Sequence, residues 1–594
     1  MDSSARPGEA VPARSRRVDL LVALASVALA LLLTGGMWRD PNGRAILVNS
    51  GDQALFEWLL SYAAYTMRGA DPFFTHLLNV PDGANLAVNT SATILGWVFA
   101  PVTWLAGPSV TFLVILTLNL IASAYAWYWL FSRHLGASPA AAALGGLFCG
   151  FAPGVVSHAN AHLNWTAQWL MVLIVAGVLR LRTPGSAWRR GLALGLGVAA
   201  GFSVAAEALF FTALACAVVV VVWALGRRAE ARAAAGRFVR SLAVAAAVAA
   251  VFLAYPLWMH FFGPMRYHGI GFDQRVHSED LLAFGAYPER SLAGLVGLNA
   301  HLAPNPTEET TFYGIPLLLL AVASFVLLWR AADAPRRAAL RAIGVTAVVF
   351  GALALGPHLR INGGPTHVPM PYALLIDLPM FDAALPARFA LVITPLLGLL
   401  LAWTVDLART WSPRSRVGLA AALVLALLPI APTPLLTTPR NPVPKFITSG
   451  AWREYVPEGG SIVPVPLPSD LLPDGQRWQA AVLAERSGRV FAMPAGFFLG
   501  PGPDGRSQIG PIPRPTHSLL FTAARTGRVP RITDTERARA RADLRYWGAS
   551  VVVLADQIHG AKWPVHYDAV RRTATALFGE PERVMDVWVW RVPS

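Results

Sequence analysis

The chain has 594 residues, of which 55% are hydrophobic and only 14% are charged, whereas soluble domains carry about 25% charged residues. Lys and Arg number 49 against 34 Asp and Glu, which gives a net charge of +15. The composition excludes a cytosolic enzyme. Because long apolar stretches recur along most of the chain, the positive charge indicates a membrane protein and not a partner of nucleic acid.

The N-terminal residues predict a retained membrane helix. Residues 1–17 are polar and rich in arginine. The apolar run 18–36 is long enough to cross a bilayer, and no clear cleavage site follows it. Because positively charged flanks stay in the cytoplasm, we expect residues 1–17 to form a cytoplasmic tail.

A large first loop follows. Residues 37–91 are moderately polar and contain five acids, and we expect this loop to lie outside the cytoplasm. The next run, 92–106, is short for a crossing and could be either a full helix or an interfacial one. If 110–131 is the second crossing, all later arginine clusters fall on the cytoplasmic side, as the positive-inside rule requires.

The rest of the chain divides into a membrane region and a C-terminal domain. Nine further crossings are predicted, at residues 140–157, 166–181, 190–206, 208–226, 241–261, 313–330, 342–356, 389–405 and 417–436. The fold class is therefore an α-helical polytopic membrane protein, with about 11 transmembrane helices in residues 18–437. Residues 438–594 should form a small extracytoplasmic α/β domain, because helical stretches such as 533–547 alternate with short β-rich runs at 461–466, 490–493, 550–554 and 584–592.

Asp52 is the candidate catalytic residue. It lies soon after the first helix, near the outer membrane surface, where low dielectric and nearby cations can tune a carboxylate for general-base catalysis. The alternative is that Asp52 caps a helix beginning at Gln53 or Ala54, since Asp is a favoured N-cap residue. Glu57 follows on the same helix and is a candidate for substrate binding.

Three further candidates lie at the outer ends of predicted crossings. His158 and His162 are four residues apart and share one face of a helical turn, a spacing that suits a metal ion or a phosphate. The alternative is a pair of interfacial histidines that bind backbone and headgroups, because the sequence identifies no third ligand. Glu207 falls at the turn between the fifth and sixth crossings, where an acid is costly unless it faces a cavity or a partner.

Basic residues of the later outer loops are candidates for phosphate binding. The loop 262–311 contains Arg266, His268 and Arg275 among several acids, and the planar guanidinium fork of arginine matches a phosphate. A solvated loop with incidental charges is the alternative. Arg388 lies at the outer mouth of the tenth crossing, where the positive-inside rule disfavours it, so we expect a lipid phosphate or another partner to hold it.

This layout resembles the GT-C superfamily of integral-membrane glycosyltransferases, in particular poorly characterised bacterial members. The resemblance rests on Gly51-Asp52-Gln53 in a large first outer loop, the segment 92–106 before helix two, the His158/His162 turn, and Pro386-Ala387-Arg388-Phe389. It implies that a sugar moves from a polyprenyl-phosphate donor, with Asp52 as base and Arg266, Arg275 and Arg388 around the phosphate. Members often show a paired Asp-Asp or Asp-Glu, whereas Gln53 follows Asp52 here. A divalent cation is therefore an open expectation, with no metal ligand assigned.

The sequence thus predicts a multi-pass cell-membrane glycosyltransferase whose acceptor is an extracytoplasmic glycan, lipid or protein. Its partners would be the bilayer, the donor and the acceptor, with no nucleic acid. Two other classes stay open: a transporter or lipid flippase, and a non-catalytic envelope assembly protein. Transporters usually show internal repeats and polar or broken helices at the bilayer midplane, and the sequence shows no repeat and few charges in the middle of a crossing.

Overall fold

The computed structural model describes residues 16–89 and 92–593, so most of the predicted tail 1–17 lies outside the described residues. The described chain is mostly helical. Seven helices in this part are long and apolar enough to cross a membrane, and they confirm the prediction of a helical multi-pass membrane protein. They are Arg16–Trp38, Ala100–His134, Pro139–His158, Ala187–Gly226, Arg228–Phe262, Ala334–Ala354 and Pro386–Thr410.

Two shorter helices are apolar as well, Gln168–Arg180 and Ile315–Ala331, and helix Pro413–Leu427 becomes apolar after a basic first turn. The long helix Ala187–Gly226 is interrupted at Ala205, whose φ of −154° and ψ of 73° are not helical. Each half of this helix is therefore a separate segment of about 20 residues. The count of about eleven crossings stays a prediction that depends on how these short and divided segments lie in a bilayer.

A second interruption marks the start of the predicted second crossing. Helix Ala100–His134 is broken at Gly107, whose φ of 84° lies in the left-handed region that glycine tolerates. Pro108 follows directly and begins the long apolar part of this helix. The segment before the break, together with the short helix Thr93–Val98, corresponds to the run whose interfacial or spanning position was open.

The first loop is built around the buried helix Ser50–Thr66. Two short strands, Phe74–Thr75 and Ala84–Asn85, form a small hairpin after it. Helix Thr93–Val98 packs directly on this buried helix. The two helices approach so closely at Gly96 that a Cβ added there would lie 2.4 Å from the Cβ of Ala63. Further on, the strands His358–Ile361 and Gly364–Pro369 form another hairpin.

The C-terminal region contains a four-stranded mixed sheet. Its strand order is Glu582–Val584, Val587–Arg591, Ala549–Ala555 and Ser461–Pro464, and only the last pair is parallel. Five helices accompany it: Lys445–Thr448, Asp474–Leu483, Pro515–Thr526, Asp534–Tyr546 and Tyr567–Phe578. A separate hairpin joins Leu499–Pro501 to Ser507–Ile509. The central strand Ala549–Ala555 is a continuous apolar run and does not alternate apolar with polar residues, because both of its faces are buried.

One expected strand is absent from that sheet. The run 490–493 makes only an isolated bridge, between Ala492 and Ser461. Ala492 O accepts from Ile462 N of the edge strand and Ala492 N donates to Gly460 O, while Met493 N donates to Leu77 O of the first loop and Gln479 Nε2 donates to Phe491 O. The run is therefore a connection between the C-terminal region and the first loop.

Further contacts join these two regions into one packed body. Strand Arg44–Ile46 pairs with Thr437–Pro439 in an antiparallel ladder. Trp58 Nε1 donates to Gln479 Oε1 at 2.6 Å, and both side chains are buried. The first loop is thus held by residues that lie far away along the chain.

Candidate functional site

One large cavity, of about 2240 Å³, lies where the first loop, the helices Ala187–Gly226 and Arg228–Phe262, the later loops and the C-terminal region meet. Its wall on the two long helices is apolar. Leu196, Val221 and Phe252 line this wall and are 43%, 56% and 59% exposed. Asp52, His162, Glu207, Glu308 and Arg388 line a polar part of the same cavity.

Asp52 lies in the first turn of helix Ser50–Thr66. The helix begins at Ser50 with Asn49 as its N-cap, so the alternative that Asp52 caps a helix beginning at Gln53 or Ala54 is wrong. Asn49 Nδ2 donates to Asp52 Oδ2 at 2.7 Å and also to the backbone oxygen of Asn160 at 3.0 Å. Asn49 therefore orients the carboxylate and ties it to the histidine turn.

The two histidines connect Asp52 to a third acid. His162 Nε2 lies 2.9 Å from Asp52 Oδ2, and the Nδ1 atoms of His162 and His158 lie 2.8 Å apart, so one ring donates and the other accepts. His158 Nε2 lies 3.8 Å from Glu308 Oε2. The structure thus brings Asp52, His162, His158 and Glu308 into one continuous polar chain.

Arg388 continues this chain to Glu207. Its Nη2 and Nε atoms donate to both oxygens of Glu308, with the shortest contact at 2.6 Å, and its Nη1 donates to Glu207 Oε2 at 2.7 Å. The guanidinium also lies over the ring of Trp165, 5.3 Å from the centroid. The expectation that a partner holds Arg388 is met here by two carboxylates, and a lipid phosphate stays a proposal.

These contacts set the charges of the two acids. Burial raises the pKa of Asp52, but the hydrogen bonds from His162 and Asn49 and the charge of Arg388 outweigh burial, so the net pKa lies below its ordinary value. For Glu308, burial is likewise outweighed, by Arg388 first and His158 next, and the pKa falls to about 2. Both carboxylates are therefore ionised at neutral pH.

The buried acid Glu279 contacts Thr310, which in turn contacts the backbone next to Arg388. Thr310 Oγ1 lies within hydrogen-bond distance of both Ala387 O, at 2.9 Å, and Glu279 Oε1. A hydroxyl has one proton, so if Thr310 donates to Ala387, Glu279 must donate to Thr310 and must itself be protonated. Thr311 Oγ1 donates to the other oxygen of Glu279 at 3.0 Å. Complete burial raises the pKa of Glu279 to about 8, in agreement with this count of protons.

Two histidines and one acid have the arrangement of a metal site. One donor atom from each of His158, His162 and Glu308 lies within 4.8 Å of the donor atoms of the other two. His158 Nε2 is buried and accepts no hydrogen bond from any described residue. If His162 Nε2 donates to Asp52, His158 donates through Nδ1 and its Nε2 carries a free lone pair. Imidazole nitrogen and carboxylate oxygen are ligands that suit transition metals.

The remaining candidates are divided between the cavity and other places. Arg266 and His268 line the cavity, and His268 N donates to Gly505 O of the C-terminal hairpin. Arg275 is exposed and does not line the cavity. Glu57 is buried in an ion pair with Arg440, with Nη1 2.8 Å from Oε1, and does not line it either. This ion pair attaches the helix that bears Asp52 to the start of the C-terminal region.

Several residues of the site had no signal that sequence reasoning used. Glu308 is one acid among several in a long loop, and only its contact with Arg388 distinguishes it. Glu279 is likewise one of several acids in the loop 262–311. Asp470 and Lys562 enter the cavity from the C-terminal region, and the pKa of Asp470 is raised by burial and by the charge of Asp52, while Lys562 opposes this.

A family model covers most of this architecture. The model described as a domain of unknown function, DUF6311, matches residues 23–429, which is more than half of the chain. The chain belongs to the DUF6311 family. No curated protein matches this DUF6311 chain.

Solved structures show which fold the DUF6311 chain has. The arabinofuranosyltransferase AftD from mycobacteria is similar over 100% of this chain and 42% of its own length, with a TM-score of 0.54 and 14% identity. The oligosaccharyltransferase AglB from Archaeoglobus fulgidus, solved with an inhibitory peptide and a dolichol-phosphate, is similar over 91% of this chain and 69% of its own, with a TM-score of 0.50 and 12% identity. A second structure of this archaeal enzyme, in complex with Zn and sulfate, has a TM-score of 0.50 and 12% identity over 91% and 68% of the two chains. The predicted GT-C resemblance is confirmed for the fold, and the bacterial branch stays a prediction.

Proposed function

We propose that this protein is a membrane glycosyltransferase, which moves a sugar from a polyprenyl-phosphate donor to a glycan, lipid or protein acceptor outside the cytoplasm. The observation that supports it is one cavity that combines an apolar wall on two membrane helices with a buried charged cluster around Asp52. A donor with a long apolar chain and a charged phosphate has the same two parts. The shared fold with two membrane glycosyltransferases agrees with this proposal.

The apolar part of the cavity suits the polyprenyl chain. Leu196, Val221 and Phe252 belong to helices long enough to cross a bilayer, and they stay largely exposed. Apolar surface at that depth meets lipid without cost, so a chain could enter sideways from the membrane. A cavity that joins an apolar wall on these helices to Asp52 favours the transferase over a transporter, which needs a pathway between the two sides.

Asp52 would act on the acceptor. As the acceptor oxygen forms its bond to the anomeric carbon, the bond from that carbon to the phosphate oxygen breaks, and its electron pair leaves with polyprenyl phosphate. The hydroxyl proton passes to Asp52 Oδ1 or Oδ2. Because the pKa of Asp52 is lowered, its carboxylate is ionised and ready to accept a hydrogen bond, and the proton transfers late, as the oxygen becomes acidic.

Basic residues would hold the phosphate. Arg388 carries two charge-assisted contacts to acids and faces the cavity. Arg266 lines the same cavity, and its only hydrogen bond among the described residues is to its neighbour Phe262 O. Positive groups fixed where negative charge develops lower the barrier to phosphate departure. Arg275, which does not line the cavity, is not part of this proposal.

A divalent cation fits the same site. His158, His162 and Glu308 would hold it, with His162 giving up its hydrogen bond to His158 or to Asp52, and when bound it would supply positive charge that polarises a phosphate oxygen. The unpartnered nitrogen of His158 supports this assignment. Arg388 already binds both oxygens of Glu308, so the cation and the guanidinium share one carboxylate.

The orientation follows from the same proposal. With residues 1–17 in the cytoplasm, the cavity and residues 438–594 lie outside, at the cell envelope. The C-terminal region then contributes Asp470 and Lys562 to the polar end of the cavity. Carboxylate and ammonium groups at this position would bind hydroxyl groups of the acceptor.

Release of polyprenyl phosphate tests the assignment. Purified protein in lipid nanodiscs would receive a panel of polyprenyl-phosphate sugars with envelope extract as acceptor. Wild type and Asp40→Asn should release polyprenyl phosphate from one donor, whereas Asp52→Asn should lose nearly all release. Asp40 is a matched control because it is an exposed acid of the same loop. Full release by Asp52→Asn would show the catalytic assignment to be wrong.

A further inference from the structure

A second cavity lies in the C-terminal region, between helices Asp534–Tyr546 and Tyr567–Phe578. Its volume is about 780 Å³, within the range of small-ligand sites. Its lining carries four arginines and one acid. We call it the arginine cavity, and its charged residues are Arg537, Arg541, Arg571, Arg572 and Glu580.

Local structure brings the four guanidinium groups together. Arg537 and Arg541 are four residues apart and therefore share one helix face, while Arg571 and Arg572 are adjacent on the neighbouring helix. Trp588 of strand Val587–Arg591 lines the same cavity. The guanidinium of Arg571 lies 5.4 Å from the centroid of its ring, a contact that fixes its position without neutralising its charge.

The positive charge of the arginine cavity is mostly uncompensated. Arg537 pairs with Asp534, and Arg572 Nε donates to the backbone oxygen of Asp568. Among residues 16–89 and 92–593, no carboxylate pairs with Arg541, Arg571 or Arg572. Like charges brought close together repel each other. An anion would relieve that repulsion, and the guanidinium fork matches phosphate and carboxylate groups.

The surroundings of the cavity favour a soluble anion over a lipid headgroup. Sites that bind headgroups combine basic residues with exposed apolar side chains that enter the membrane. In the described part of the chain after residue 526, the exposed large hydrophobic residues are Val529, Tyr546 and Met585. None of them lines the arginine cavity.

We propose that the arginine cavity binds an anionic saccharide, through phosphate or carboxylate groups on its sugar units. A glycan held there would be retained beside the protein between successive transfers. The choice of a saccharide and the retention role rest on the proposed function, whereas the binding of an anion itself does not. The site is separate from the cavity at Asp52, with which it shares no lining residue.

Binding to the full-length protein in nanodiscs tests the proposal at about 0.15 M salt, where diffuse surface charge is screened. The probes are tetragalacturonate, which carries carboxylates, mannose 6-phosphate, and neutral maltotetraose. The site variant combines Arg541→Gln, Arg571→Gln and Arg572→Gln. The control variant removes the same charge outside the cavity lining, by Arg528→Gln, Arg539→Gln and Arg545→Gln.

We expect at least one anionic probe to bind wild type, to lose about tenfold or more in affinity in the site variant, and to change less than about twofold in the control variant. Equal losses in the two variants would overturn the proposal in favour of diffuse charge. So would binding of maltotetraose as tight as that of the anionic probes, or no binding of either anion.

A third arm separates lipid from saccharide. Phosphatidylglycerol vesicles that displace the anionic probe from wild type, and that bind wild type more tightly than the site variant, would assign the cavity to a headgroup and overturn the saccharide. Asp52→Asn should bind the probes as wild type does, because it does not alter the arginine cavity. A failure of transfer activity is therefore distinguishable from a failure of this site.

Discussion

The protonated state of Glu279 makes a sharp prediction about stability. Glu279→Gln keeps the shape of the side chain and fixes it in a neutral form. The amide nitrogen can donate to Thr310 Oγ1 and the amide oxygen can accept from Thr311, so both contacts of the acid are preserved. Thr310 then still donates to Ala387, next to Arg388. We therefore expect the variant to fold and to keep its transfer activity at pH 7.

The magnitude follows from the pKa of this acid. In the folded protein Glu279 keeps its proton up to about pH 8, whereas in the unfolded chain it loses the proton near 4.5. Between these values unfolding releases a proton, so the free energy of unfolding falls as pH rises. At ~1.4 kcal/mol per pH unit, the loss over the whole range is on the order of 5 kcal/mol. Glu279→Gln removes this dependence.

Thermal unfolding of wild type and variant from pH 5 to pH 9, followed by tryptophan fluorescence, checks the prediction. The Tm of the variant relative to wild type should increase with pH and level off above about pH 8. Glu309→Gln is a useful reference, because burial raises the pKa of Glu309 to about 7 and its gain should level off earlier.

A constant difference in Tm between wild type and Glu279→Gln at every pH would refute the reasoning, because it would mean that Glu279 takes up no proton on folding. A variant that is less stable than wild type at pH 5, but whose deficit shrinks as pH rises, would show a packing defect added to the same proton uptake. Thr310→Val supplies a second check. It removes the acceptor of the Glu279 proton and should destabilise the protein even at pH 5.

Three further predictions concern the charged cluster and the apolar wall. Arg388→Lys keeps the charge but loses the two-pronged contact with Glu308, so donor turnover should fall about tenfold or more. The control Arg275→Lys should retain turnover. Equal turnover in the two variants would contradict the role of Arg388. If the cluster holds a divalent cation, elemental analysis should find about one ion per wild-type chain and a clearly lower ion content in His158→Ala. An unchanged ion content in that variant would place the metal elsewhere. Val221→Trp should raise KM for a long-chain donor more than for a short-chain analogue, because the added ring occupies cavity space along the apolar wall. Equal effects on the two donors would argue against a polyprenyl chain in that position.

The sequence predicted the membrane fold because apolar length and arginine distribution are local properties. A long run of apolar residues predicts a membrane helix without any information about distant residues. The break at Gly107 likewise coincides with a local signal, the pair Gly107-Pro108. The strand expected at 490–493 did not form, because the structure of this run depends on residues that are distant in sequence. Its backbone partners include Leu77, Ile462 and Gln479, which lie on other segments, and a local pattern carries no information about them.

The same distinction applies to the site. The spacing of His158 and His162 and the unusual position of Arg388 were visible, because each departs from a local rule. Glu308 was not, since it becomes special only where the fold places it against both. Glu57 follows Asp52 on one helix, whereas its buried partner Arg440 is remote in sequence, so the sequence could not predict the ion pair between them.

If Asp52 acts in sugar transfer outside the cytoplasm, the envelope glycans of a deletion strain will show it most directly. The strain would be complemented with wild type, Asp40→Asn or Asp52→Asn at matched protein levels, and the glycans compared by mass spectrometry. We predict that wild type and Asp40→Asn restore the glycans of the parent, while Asp52→Asn leaves those of the deletion strain. Restoration by Asp52→Asn, or glycans that do not differ between parent and deletion strain, would contradict the account.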